Sequence, residues 1–251
     1  MLLMTATCPP ELECRILEKV GITHCRVIRA LTPRPEISFN VHTFSNPMEA
    51  KERLGNDVQA ALKSYLPGEK AIVFCRGHET TNSIAGNVLK CPSYHRDDRS
   101  PSELSKTLGS FIDDDSQKVI VATSLLGAGV DIPHIRDIWH FGVPWSLIDF
   151  AQETGRAGRD SKPSSSHVFT WSADIERVTR KMNYTEDSMR QLLKPTPACR
   201  RTLMGEVLDG VPTSCHTLPG AILCDNCRDG DHTSPPPWVA FFFLSLSSLP
   251  C

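Results

Sequence analysis

Between residues 34 and 171 short apolar runs alternate with longer amphipathic ones, and that rhythm restricts the fold more than any other feature of this chain. Ile37, Phe39 and Val41 recur with the period of two of a half-buried strand. A helical pattern runs from Pro47 to Tyr65 and is broken by Pro67-Gly68. Ala71 to Cys75, Val119 to Ala122, Ile135 to Phe141 and His167 to Trp171 read as further strands. Glu79 to Leu89, Leu104 to Ile112 and Leu147 to Glu153 read as the helices among them. Short, continuously apolar strands separated by helices predict an α/β fold, a parallel sheet with helices on both faces. Ligands of such sheets gather at the carboxyl ends of the strands, which directs attention past Ala122 and to the helix carrying Glu153. Upstream, Leu2 to Thr7 reads as the tail of a buried strand, and Glu11 to Val20 as a helix stopped by Gly21.

Composition narrows the class. The 251 residues carry 27 basic and 29 acidic side chains, a net of -2, which excludes a globally basic nucleic-acid binder but not a local basic patch. Hydrophobic residues at 40% and charged residues at 22% suit a globular core. No apolar run reaches the roughly 18 residues of a membrane span. The opening Met-Leu-Leu-Met lacks the basic segment of a secretory signal. Ten cysteines without such a signal suit a reducing compartment, where clustered thiols hold metal more often than they form disulfides. A soluble intracellular protein is expected, with no membrane partner.

Three groups of residues carry chemistry. In Gln152-Glu153-Thr154-Gly155-Arg156-Ala157-Gly158-Arg159-Asp160, two always-charged guanidinium forks project from one glycine-opened segment. They suit the charge that builds on a transferred phosphoryl group, although a flexible basic loop touching nucleic acid has the same composition. Ala122-Thr123-Ser124-Leu125-Leu126-Gly127-Ala128-Gly129-Val130-Asp131 leaves a buried strand. Its glycines permit close backbone approach to a ligand, and Asp131 offers a carboxylate to a ribose hydroxyl; a plain strand-to-loop turn is the alternative. The third group is Cys199, Cys215, Cys224 and Cys227, in which the C-x-x-C pair lets one turn supply two thiolates to a tetrahedral zinc. Eight residues separate Cys215 from Cys224, so neighbouring His216 competes with it for the fourth position, and ordinary buried thiols remain the alternative to a metal site. From residue 172 the period becomes helical, and Arg177, Arg180 and Lys181 form either a solvated face or a nucleic-acid contact.

The order and wording of these segments resemble superfamily-2 helicases, and most closely the RecQ DNA helicases. Residues 122–133 resemble motif V and residues 152–160 motif VI. Thr5-Ala6-Thr7 resembles motif III, Arg34-Pro35 the linker into a second RecA-like domain, and Ala71 to Cys75 motif IV. Tyr94-His95 resembles the start of a loop that touches the DNA backbone, but continues Arg96-Asp97-Asp98 without the family's small residue and glycine. Cys199-Arg200-Arg201 and Cys224-Asp225-Asn226-Cys227 resemble the RecQ zinc-binding subdomain. The resemblance implies that Arg159, Arg156 and Gln152 act in catalysis, and that Gly129, Asp131, Arg156 and Arg159 contact nucleotide. It places Thr5, Thr7, Tyr94, His95 and Thr123 along DNA, with Arg177, Arg180 and Lys181 as the basic candidates beside them, and Cys199, Cys215, Cys224 and Cys227 on structural zinc.

By the same resemblance, residues 1–32 are the remnant of a first RecA-like domain and 33–171 a helicase C-terminal RecA-like domain. Residues 172–230 are a small helical zinc-binding subdomain. Residues 231–251, with Pro235-Pro236-Pro237 and a dense apolar run, are expected to be a disordered tail or a gene-model artefact. No G-x-x-x-x-G-K-[ST] loop is present, and no acidic motif for magnesium. Two readings follow. One is the carboxyl-terminal half of a nuclear, ATP-dependent 3′-to-5′ DNA helicase, inactive without a missing N-terminal helicase domain that brings ATP and magnesium. The other is a non-catalytic DNA- and zinc-binding module.

Overall fold

Six strands pair into one sheet in the order β1-β6-β5-β2-β4-β3, every neighbouring pair parallel. The structure is a computed structural model that describes residues 3–5, 7–97, 99–127, 130–178 and 184–229. The strands are β1 (Ile37–Phe44), β2 (Lys70–Cys75), β3 (Ser93–Tyr94), β4 (Val119–Ala122), β5 (Ile135–Phe141) and β6 (Ser164–Trp171). Helix α1 (Pro10–Val20) precedes the sheet, and α2 (Pro47–Ser64), α3 (His78–Ser83), α4 (Pro101–Asp113) and α5 (Leu147–Thr154) connect its strands. A π-helical turn, Ile84–Leu89, prolongs α3. Beyond the sheet come α6 (Ser172–Val178), α7 (Tyr184–Leu193), α8 (Arg200–Asp209) and α9 (Asp225–Asp229).

Parallel strands need crossovers, and the crossover helices cover both faces, so the central strands read as unbroken apolar runs. All six residues of β2 and all four of β4 are buried. On one face Ala50, Leu54 and Val58 of α2 pack with Ile84 and Ala85 against Val73, Val121 and Trp139. On the other, Leu104 and Phe111 of α4 and Leu147 and Phe150 of α5 pack against Ile72, Ile120 and Ile138. That second core continues without a break into Met189, Val207, Leu208, Cys215, Cys224 and Cys227. Helix entries follow their caps: the Asn46 side chain accepts from the backbone N–H groups of Met48 and Glu49, and Ser100 with Glu103 forms a reciprocal capping box.

Three expectations need correction. The described residues between 3 and 9 contain no strand, and Leu3 and Met4 are exposed. Strand β1 does not alternate, because Ser38 and Asn40 are buried along with Ile37 and Phe39. The segment 199–228 covers the face that would otherwise meet water: Ser38 donates to the Leu223 carbonyl, and Arg228 to Asn40 Oδ1. Strand β3, only two residues long, had no periodic signal to announce it.

Candidate functional site

The arginine motif lies at the amino edge of the sheet, not at the carboxyl edge where the general rule for parallel sheets placed it. Helix α5 leaves the carboxyl end of β5 and runs back along the sheet, so the residues after it reach the opposite rim. There Gly158 donates its N–H to the carbonyl of Ile135, the first residue of β5. Gly158 has φ +64°, and a Cβ built there would stand 2.7 Å from Glu36 Cγ, so the tight turn requires glycine. The loop after β4 returns to the same rim, which brings Val130 and Asp131 beside the arginines.

A cavity of about 670 Å³ opens at this rim. Thr7, Thr32, Arg34, Asp131, Gln152, Arg156, Arg159, Arg201 and Asp209 are among its lining residues. Arg156 is buried and donates from Nη1 to the Val130 carbonyl at 2.7 Å. Burial, and then the charge of Arg159, pushes its pKa below the ordinary guanidinium value. Arg159 is exposed and forms an ion pair with exposed Asp131. Exposed pairs of this kind contribute about 0–1 kcal/mol, so a phosphate oxygen entering the cavity competes readily for the guanidinium. Gln152, on the last turn of α5, is exposed toward the same space.

Residues without a role in the sequence reading hold this rim together. Arg34 donates to the carbonyls of Gly155 at 2.7 Å and Ala157 at 2.6 Å, and pairs with Glu36. It thereby ties the turn after α5, which carries both motif arginines, to the entry of β1. Arg201 is 4% exposed, lies 4.9 Å over the Phe39 ring, and donates to the carbonyls of Arg34 and Ile37. Asp209 accepts from the Thr32 N–H at 3.0 Å and hydroxyl at 2.8 Å. The sequence offered only the adjacency of these residues to recognised motifs.

The other expected residues are scattered. Thr7 reaches the cavity rim, and the Thr5 hydroxyl donates to the Thr7 carbonyl at 3.0 Å. Tyr94, His95 and Thr123 sit at the carboxyl edge with their side chains buried, and the Thr123 N–H donates to the Tyr94 carbonyl. Gly129, Arg180 and Lys181, the side chain of Arg177 and the tail 231–251 lie outside the described residues.

The four cysteines do converge. One sulfur from each of Cys199, Cys215, Cys224 and Cys227 lies within 4.8 Å of the others, and those of Cys199 and Cys215 are 3.5 Å apart. None of the four is in a disulfide. Four sulfurs about 2.3 Å from a tetrahedral zinc stand about 3.8 Å from one another, so the cluster fits a metal of that size. His216 is exposed and outside the cluster. Hydrogen bonding from Cys215 and Cys224 pushes the Cys199 thiol below its ordinary pKa, and the bond to Cys199 pushes that of Cys215 up. The neighbouring Arg200 forms a fork with Asp225, at 2.6 and 2.8 Å, and Asp225 also accepts from the Val41 N–H at 2.9 Å.

Residues 56–161 match the model of the helicase conserved C-terminal domain, the segment that includes both motif arginines. The curated proteins that this chain is similar to include DNA helicases of RecQ type. The chain is 25% identical to ATP-dependent DNA helicase Q-like 2 of Arabidopsis thaliana, across 90% of this chain and 32% of that protein. It is 26% identical to the RecQ-like DNA helicase BLM of Xenopus laevis, across 90% of this chain and 18% of that one. The chain therefore spans about a third or less of these relatives' length. Among solved structures, Saccharomyces cerevisiae Dbp5 bound to RNA and ADP BeF3 superposes with a TM-score of 0.55 at 16% identity, over 76% of this chain and 54% of that one. That likeness establishes the RecA-like fold. No helix among the described residues is long and apolar enough to cross a membrane.

Proposed function

We propose that this chain forms the carboxyl-terminal half of an ATP-dependent 3′-to-5′ DNA helicase of RecQ type, with one structural zinc held by Cys199, Cys215, Cys224 and Cys227. The observation that carries the reading is the pair Arg156 and Arg159 at one cavity, with the backbone on either side of Arg156 fixed by Arg34 and the Asp131 partner of Arg159 exposed and displaceable. ATP with its magnesium is cradled by a second RecA-like domain that supplies the phosphate loop. Arg159 reaches the γ-phosphate and stabilises charge on the transferred phosphoryl group, and Arg156 and Gln152 hold the surrounding geometry. Asp131, freed from Arg159 by the phosphates, turns to the ribose. Zinc, when bound, neutralises the clustered thiolates and closes the loop between Cys199 and Cys227. DNA contact falls to local basic residues rather than to the net charge, so binding weakens steeply with salt.

The test joins this chain to a domain bearing a phosphate loop and a magnesium carboxylate, and measures DNA-stimulated ATP hydrolysis. Arg159→Ala is expected to slow turnover about 10³-fold or more with little change in nucleotide binding. The chain alone is expected to hydrolyse ATP no faster than its Arg159→Ala variant. Equal turnover by both forms of the joined protein would return the motif to a basic loop.

A further inference from the structure

Three side chains converge at the carboxyl edge of the sheet, at the opposite rim from the arginine cavity. His78 opens α3 just past β2, and His95 and Asp97 follow β3. One nitrogen from each imidazole and one oxygen of Asp97 lie within 4.8 Å of one another. The two rings stack with centroids 5.0 Å apart, and His78 Nδ1 stands 3.5 Å from Asp97 Oδ2.

His95 is the buried member of the three. The residue is 2% exposed. Its Nε2 lies 2.7 Å from Asn82 Oδ1, which also accepts from the Ser93 hydroxyl at 3.0 Å. An amide oxygen receiving both contacts leaves the ring proton on Nε2 and a bare lone pair on Nδ1. That Nδ1 is buried and has no hydrogen-bond partner. A buried acceptor left unsatisfied is destabilising, and a ligand for the lone pair would offset that. A hydrogen bond on the far ring nitrogen is also how metal-ligating histidines are oriented and made more basic. Asn82 holds that position here.

We propose that His78, His95 and Asp97 form a second metal site, for a divalent ion of the zinc class. The ligands are His95 Nδ1, a ring nitrogen of His78 and a carboxylate oxygen of Asp97, with water completing the shell. Two imidazoles and one carboxylate are donors of borderline softness, suited to zinc, cobalt or nickel rather than to calcium or magnesium. The exposed His78 and Asp97 leave an entry path, while buried His95 anchors the ion. The bound ion fastens the segment after β3 to the start of α3. The site is chemically separate from the four thiols and does not depend on the helicase reading.

The test uses the full chain, reduced and equilibrated with zinc, and measures ions per chain together with the affinity of the ion lost first on mild chelation. His78→Ala and Asp97→Asn change exposed side chains, so folding is expected to survive and can be checked by circular dichroism. Each is expected to remove one ion per chain and leave the rest of the metal content unchanged. Asn82→Ala is expected to weaken the same ion about 10- to 100-fold, the range for losing a partner of a ligating histidine. Cobalt at this site should absorb weakly and lack the thiolate charge-transfer band. Metal content and affinity unchanged in folded His78→Ala and Asp97→Asn protein would overturn the proposal, as would a thiolate band that accounts for every bound cobalt.

Discussion

Buried Arg201 and half-buried Arg34 and Asp225 show how single charged side chains fix this protein's geometry, since each serves two or more backbone groups. His42 gives the clearest titration. It lies in β1 with Nε2 3.3 Å from His167 Nδ1, its ring stacked on that of His167. Burial first, and then the neighbouring His167 charge, lowers its pKa from the ordinary 6.5 to about 4. The unfolded chain therefore takes up the proton before the folded one does. Its contribution to stability is complete above about pH 6.5 and falls as the pH drops toward about 4. The urea midpoint is expected to decline across that window, and His42→Gln to flatten the decline. An equally steep profile in the variant would assign the effect to another group.

Helix α8 shows how an element can be set against its own propensity. Gly205 lies in its interior, where alanine ordinarily stabilises a helix by about 1 kcal/mol. A Cβ there would meet the Val211 carbonyl oxygen at 2.5 Å, and the Val211 N–H donates to the Gly205 carbonyl. The glycine lets the chain fold back over the helix immediately after Gly210 has ended it in the left-handed conformation. Backbone cannot step aside as a flexible side chain does, so overpacking, at about 1–3 kcal/mol, outweighs the propensity gain. Gly205→Ala is thus expected to destabilise the protein in chemical denaturation, where propensity alone predicts the reverse. The turn after α3 makes a related point. Helical character over residues 79–89 was legible from periodicity, but the widening to a π-helix at Ile84–Leu89 was not, because no side-chain pattern encodes it.

At the scale of the molecule, the cysteine segment and the sheet are one packed body. Ile222 donates to the Pro35 carbonyl, Ser38 to that of Leu223, and Asp225 accepts from Val41, so residues 222–225 run beside the outer strand β1. A small zinc-binding subdomain standing apart from the sheet would melt independently of it. These contacts change the expected outcome of metal removal. Chelation under reducing conditions should lower the melting temperature and strip amide-exchange protection from residues 199–227 and from β1 together. Strands β2, β4 and β5, buried at the centre, should keep theirs. Protection lost after residue 199 but fully kept in β1 would show that the two parts uncouple.

The sequence by itself determined the parallel α/β sheet, because unbroken apolar strands alternating with amphipathic helices have few other ways to bury both faces. It also pointed to the thiol set: C-x-x-C and the Cys199 segment were legible, while Cys215 was the fourth candidate with neighbouring His216 competing for its place. Only the tertiary structure separated them, turning the Cys215 sulfur inward and leaving His216 in solvent. The rim of the arginine cavity was likewise decided by packing. Helix α5 must run antiparallel to the strand it leaves, and that direction carries Arg156 and Arg159 to the amino edge. The clamps supplied by Arg34, Arg201 and Asp209 join residues more than a hundred positions apart, a relation that no local pattern of side chains records.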